Sequence, residues 1–298
     1  MKIDLHIHSK NGSDGRMTLA EIFAEADRRA IEAISITDHD SLDSQAEALQ
    51  LARHYGMAYL TGLELNVTFI HPDYTKGKEV TLDFLAYGFE LDHAPLVEKL
   101  VELRDYRQIR AQKILDNLNA ELIKEGKAPL TIADLECIQA TVDGAFGRPH
   151  IANYLIEKGI VHDRQEAFDR YLVKCNAPKL PLRLGEASSL VRGAGGKILL
   201  AHPNDPNGTS LVTLAKSLSE QQRIVGEAML PLIDGIECWH SRHDQETTVS
   251  YLAFARSHGL MVSGGSDCHQ QPVLMGNVEV PSFVVQQFGI DRSSISRS

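Results

Sequence analysis

The stretch MKIDLHIHSKNGSDG (residues 1–15) alternates apolar Ile3, Leu5 and Ile7 with Asp4, His6 and His8, and follows them with Asp14. Alternation is the period of a β-strand, so the polar side chains leave one face and the apolar ones the other. One face packs, and the other is built from side chains that bind metal ions. A single His-x-His pair in a chain with 13 histidines decides little by itself. The reading therefore turns on what stands at comparable places further along.

Working outward, TLAEIFAEADRRA (18–30) carries a capping-box pattern at Thr18 and Glu21, then a helix with Leu19, Ile22, Phe23 and Ala26 on one side. IEAISITDHD (31–40) reads as a strand that delivers His39 at its end. SQAEALQLARHYG (44–56) reads as a helix stopped by Gly56. AYLTGLELNV (58–67) is predicted as one strand ending near Glu64. A polar HPDYTKGK turn (71–78) leads to a further strand in EVTLDFLAYGF (79–89). Strand, helix, strand, helix, strand is the rhythm of a parallel α/β fold.

That rhythm breaks over residues 93–190, where the signals are mainly helical: a long run over 95–126, then TIADLE, RPHIANYLIEKG with Pro149 placed for a first turn, and DRQEAFDRYLV. Strands return in GKILLAHP (196–203), IDGIECWH (233–240) and LMVSGGSDCH (260–269). The organisation is an α/β body, residues 1–92 and 191–298, interrupted by a helical insertion, 93–190, that would cap the substrate site. On this map His6 and His8 lie on the first strand, while His39, Glu64, His202, Asp267 and His269 stand at strand ends. Any one of them could be a turn or cap residue. Their repetition is what a barrel with one active face produces, and it predicts a multinuclear metal site. Cys268, between Asp267 and His269, should point the other way and pack, and His54, His93, His162 and His258 read as surface or helix-end residues.

Composition is consistent with this. The 298 residues are 43% hydrophobic and 23% charged, enough for a large core. A net charge of −10 without a Lys/Arg run argues against binding duplex nucleic acid by phosphate neutralisation. It leaves phosphate chemistry open, since bound metal ions reverse the local sign. Four cysteines without paired spacing fit a reducing compartment. The first residues show no charged-then-apolar leader, and no segment approaches the ~20 apolar residues of a membrane span. The expectation is a soluble cytoplasmic protein, of undetermined oligomeric state, with no membrane partner.

Taken in order, DLHIHS, SDG, ITDHD, GLEL, AHP and GSDCH resemble the PHP (polymerase and histidinol phosphatase) family of metal-dependent phosphoesterases. GRPHIANYL in the insertion resembles the subgroup acting on nucleotide 3′,5′-bisphosphates and short RNA ends. The resemblance implies a distorted seven-stranded (β/α) barrel holding two or three divalent metals, manganese first, with iron, zinc or magnesium as alternatives. His6, His8, Glu64 and Asp267 would hold the first metal. Glu64 would bridge to a second, completed by His202, and Asp14, His39 and His269 would hold a third. Asp4 and Asp40 would orient imidazoles. The nucleophile would be a hydroxide bridging metals, and no side-chain nucleophile motif is present.

Two departures stand out. Where relatives commonly carry a ligating His this chain has Asp83, which can ligate through oxygen and favours a harder ion; His71, in the turn, is the weaker substitute. Where nucleotide-cleaving relatives tend to carry a phosphate-binding Lys this chain has Asn176, with Lys174 and Lys179 nearby in sequence. Arg148 can grip a phosphate with two prongs, and His150 could bind the same group or protonate the leaving alcohol. Arg242 and His243, after the strand in WHSRHD, are further candidates for substrate phosphate. The predicted activity is hydrolysis of a small phosphorylated metabolite, foremost a nucleotide 3′,5′-bisphosphate. The alternatives are opening of phosphoribosyl 1,2-cyclic phosphate and an inactive binding module.

Overall fold

The computed structural model describes residues 1–140, 148–269 and 273–290. The chain divides into two compact units, residues 1–97 with 181–298, and residues 98–180. Among the described residues no helix is long and apolar enough to cross a membrane.

The first unit contains two sheets. In one, β1 (Ile3–Asp4), β2 (Ala33–Ile34) and β3 (Ala58–Tyr59) run parallel in that order, linked by α1 (Leu19–Arg28) and α2 (Gln45–Tyr55). The capping box at Thr18 and Glu21 forms as its spacing requires, and α1 buries Leu19, Ile22, Phe23 and Ala26. Gly56 ends α2 in the left-handed region, φ 63°. The second sheet has the order β4 (Gly62–Phe69), β5 (Val80–Tyr87), β6 (Lys197–Leu200), β7 (Gly235–His240) and β8 (Met261–Gly265).

Two expectations need correction here. Residues 58–67 are not one strand: β3 pairs with β2, whereas β4 joins the other sheet. Gly62 sits at the break, where a Cβ would lie 2.1 Å from Ser35 Oγ and 2.8 Å from Ile36 O, so only glycine lets β4 pass this close. Glu64 consequently stands inside β4 rather than at a strand end. The parallel rhythm also stops: in the second sheet β5 is antiparallel to both β4 and β6, and only its β6–β7 and β7–β8 pairs are parallel. The short β4–β5 connection has no helix, and a parallel crossover needs a longer one.

The seven-stranded barrel is likewise not reproduced as such. Among the described residues eight strands form two sheets, whose margins approach through the isolated parallel bridges Ile7↔Cys268 and His39↔Glu64. These bridges carry the ends of β1 and β2 to β8 and β4. Ile7 and Cys268 lie in a buried cluster with Phe23, Ile34 and Met275, so Cys268 packs as its alternation suggests.

Of the helices between β5 and β6, α3 (Ala94–Lys124) starts in the first unit and continues into the second. The second unit adds α4 (Ile132–Ala140), α5 (Arg148–Glu157) and α6 (Arg164–Ala167). Leu118, Leu122, Leu135, Ile151, Leu155 and Tyr171 share its core. α7 (Leu184–Gly193) belongs to the first unit, with α8 (Leu218–Ala228), α9 (Gln245–His258) and α10 (Phe283–Gln286). The second unit is thus shorter than the 93–190 segment with which the sequence breaks rhythm.

β8 passes close to the first strand at Gly265, where a Cβ would lie 2.4 Å from His6 N and 2.5 Å from His6 Cβ. Gly265→Ala must push β8 from β1. It should cost about 1–3 kcal/mol in denaturant unfolding, and unchanged stability would contradict this packing.

Candidate metal centre

Glu64, buried in β4, is the hub. His6 Nε2, His8 Nε2 and His39 Nδ1 lie 3.4, 3.2 and 3.2 Å from its Oε2, and His202 Nε2 lies 3.0 Å from its Oε1. Asp267 supplies a second focus, with Oδ1 3.5 Å from His6 Nε2, 3.3 Å from His8 Nε2 and 3.2 Å from His269 Nδ1. Asp14 is a third, 3.4 Å from His269 Nε2 and 3.9 Å from both His8 Nδ1 and His39 Nε2.

These residues fall into overlapping groups whose donor atoms lie within 4.8 Å of one another: His6–His8–Asp267, His6–Glu64–His202, His39–Glu64–Asp83 and His8–Asp14–His39–His269. All nine expected ligands are therefore brought together. His6 Nε2, His8 Nε2 and His39 Nδ1 are buried without a hydrogen bond, although each is beside a carboxylate. Buried imidazole nitrogens that face carboxylates without hydrogen-bonding them form a donor set that fits a divalent metal.

Asp83 pairs directly across from Asn66 in the β4–β5 ladder, and the Asn66 amide donates to its Oδ1 at 2.8 Å. His71 stays in the turn, its Nδ1 accepting from Asp73 N at 3.2 Å. Burial and then the Glu64 charge raise the Asp83 carboxyl to about 8. Burial disfavours charge on His8, but Asp267 and Glu64 outweigh it and raise the ring to about 10. Burial likewise opposes charge on His202, and Glu64 raises it to about 9.

Two supports were not legible in the sequence. Glu237, wholly buried on β7, takes the Nδ1 of His6 at 3.0 Å on Oε1 and the amide of His202 at 2.8 Å on Oε2. It is the carboxylate that orients a ligating imidazole. An acid inside the apolar IDGIECWH run is the signal that could have found it. Asp38 accepts from Ser9 and from Ser13 Oγ, which contacts His8 Nδ1 at 3.3 Å. Asp4, expected to orient an imidazole, accepts instead from the backbone amides of His6, Ser266 and Gly276. Asp40 accepts from Asn66 N at 2.9 Å.

The expected substrate residues belong to different units. Arg242, with 43% of its side chain exposed, donates from Nη1 to the fully buried Asp205 Oδ2 at 2.6 Å. His243 is spent on structure: Nε2 accepts from Asn204 N, and Nδ1 donates to Cys238 O at 3.1 Å. Burial, with His240 beside it, lowers this ring to about 4. Arg148 and half-buried His150 lie on α5 in the second unit, where Arg148 donates to Leu172 O and covers the Phe168 ring. Asn176 accepts from Arg110 at 2.8 Å, and Lys174 is paired with Glu121.

Comparison with known proteins bears on this geometry. The PHP domain model matches residues 4–251. The chain is 28% identical over 280 residues to a 3′,5′-nucleoside bisphosphate phosphatase of Chromobacterium violaceum, covering 90% of this chain and 87% of that one. It is 26% identical to the 5′-3′ exoribonuclease Rnm of Escherichia coli, covering 90% and 85%. A solved amidohydrolase structure from Chromobacterium violaceum, with sulfate and no metal, superposes with a TM-score of 0.74 at 26% identity, over 100% of this chain and 98% of that one. The chain belongs to the PHP domain family. It is a metal-dependent phosphoesterase, a hydrolase acting on phosphoester bonds.

Because ligating imidazoles and carboxylates must be deprotonated, metal loading should release protons, and affinity should rise with pH while His8, His202 and Asp83 still carry them. Calorimetric titration of manganese in buffers of different ionisation enthalpy should give different apparent heats. Identical heats would contradict protonated ligands.

Proposed function

We propose that this phosphoesterase removes phosphate from a small phosphorylated metabolite, foremost a nucleotide 3′,5′-bisphosphate, giving the 5′-monophosphate and phosphate. The observation that carries the reading is the buried Glu64 with four imidazoles on its two oxygens, flanked by Asp267, Asp14 and Asp83. The overlapping groups suit two or three divalent ions. Manganese suits the mixed imidazole and carboxylate donors best, because Asp83 adds oxygen where a nitrogen ligand would favour zinc. When bound, such ions lower the pKa of water and neutralise phosphoryl oxygens.

The chain's own residues supply orientation. Glu237 fixes His6, and Asn66 fixes one oxygen of Asp83. Arg242, tied to Asp205 by one nitrogen, holds its guanidinium in a set direction as a grip for phosphate. The family resemblance alone carries Arg148 and His150 into substrate binding. The 28% identity to a bisphosphate phosphatase supports that substrate ahead of phosphoribosyl 1,2-cyclic phosphate.

The test is phosphate release by manganese-loaded protein from adenosine 3′,5′-bisphosphate, the cyclic ester and a 5′-phosphorylated oligoribonucleotide, with His8→Ala as blank. The bisphosphate should turn over fastest, and H8A should fall to background. Arg242→Ala should raise KM about tenfold, the value of one charge-assisted hydrogen bond. Turnover of the cyclic ester or of RNA alone would replace the substrate, and silence on all three would overturn the reading.

A further inference from the structure

β7 donates no expected ligand, yet its last residue reaches the centre through an irregularity. β7 pairs with β8 as Glu237↔Ser263, Trp239↔Gly264 and His240↔Gly265, leaving Cys238 as an extra residue in the ladder. Simple alternation would set Glu237 and His240 on opposite faces. The bulge brings both to the histidine cluster, with the His240 ring centroid 6.2 Å from that of His6 and 5.4 Å from that of His202.

The tautomer of the His240 ring is fixed by its neighbours. The amide of Arg242 lies 3.2 Å from Nδ1, and an amide can only donate, so Nδ1 accepts. The proton therefore sits on Nε2, which is 3.3 Å from Asp267 Oδ2. With Nδ1 accepting, Nε2 holds the neutral ring's sole proton and could ligate only as an imidazolate, and Arg242 already occupies Asp205. The cluster of Asp205, His240 and Asp267 is thus a support, not a further cation site.

Asp267 needs support. Its φ of 54° places a non-glycine residue in the left-handed region, so its local backbone does not favour the orientation it holds. One of its oxygens, Oδ1, faces His6, His8 and His269, while the other meets His240. We propose that His240 is a positioning residue: its Nε2–H pins Asp267 Oδ2 so that Oδ1 is presented to the metal, and the Arg242 amide sets the tautomer that makes this work. The inference rests on the metal-centre reading above.

The test is manganese binding to the full-length metal-free protein, followed by electron paramagnetic resonance of free ion and by elemental analysis. His240→Asn keeps an oxygen near the Arg242 amide but has no donor at the ε position, and His240→Leu has neither. His240→Gln restores a nitrogen donor at the ε position. With circular dichroism unchanged, H240N and H240L should bind one manganese equivalent at least about tenfold more weakly, the usual cost of losing such a support. H240Q should stay close to wild type. Wild-type affinity in whichever of H240N and H240L folds, or equal weakening in H240Q, would overturn the positioning role and leave the metal centre standing. A wild-type protein that binds no manganese would remove both.

Discussion

Everything near the active face follows from one constraint: Glu64 is a carboxylate placed almost wholly out of water. A buried charge without compensation is costly, and the chain compensates this one with four imidazoles rather than with lysine or arginine. The choice matters chemically. Guanidinium or ammonium would neutralise Glu64 permanently, whereas imidazoles hold protons that can leave when a divalent ion arrives. Burial therefore makes the cluster both a stability liability and an affinity reservoir. The same reasoning covers Glu237 and Asp267, both kept ionised by neighbouring histidines, with His6 the largest charge on each, although burial opposes it.

Bringing so many polar side chains to one region requires backbone the regular strand does not supply. Three of the described non-glycine residues with positive φ, Asp40, His202 and Asp267, belong to or adjoin the centre. Each such conformation costs about 1–3 kcal/mol and persists where surrounding contacts over-determine it. Asp4 provides some of those contacts, tying the His6 amide to Ser266 and Gly276 with one carboxylate. Gly62 and Gly265 provide space, because neighbouring backbone or side-chain atoms occupy what a Cβ would need. Strain, tie and gap are three parts of one solution.

This division explains what could be read from sequence. The candidate ligands were legible because metal chemistry restricts residue type and because most of them sit where strands end. His6, His8, His39, His202, Asp267 and His269 stand out this way, Glu64 does so even though it lies within β4, and Asp14 and Asp83, the latter inside β5, enter only through the family resemblance. The supports were not legible, since their partners are distant in sequence and their direction depends on irregularities. His240 faces the cluster only because Cys238 is an extra residue, which alternation cannot foresee. His243 looked equivalent to Arg242, but both of its nitrogens are taken by backbone. The antiparallel β4–β5 pair was hidden by the parallel rhythm before it, although its helix-free connection was visible in HPDYTKGK.

The first strand shows why pattern and function diverge even where the pattern is correct. Ile3 through Ser9 are all buried, so the alternation does not separate a dry face from a wet one. It separates a face that packs, where Ile7 meets the cluster of Phe23 and Ile34, from a face that must be filled by charge and metal. A polar residue on such a strand has no water to fall back on, and its partner must come from another element: Glu237 for the ring of His6, Ser13 and Asp38 for that of His8. The candidate ligands identify the chemistry, and the residues that hold them set how each donor is oriented.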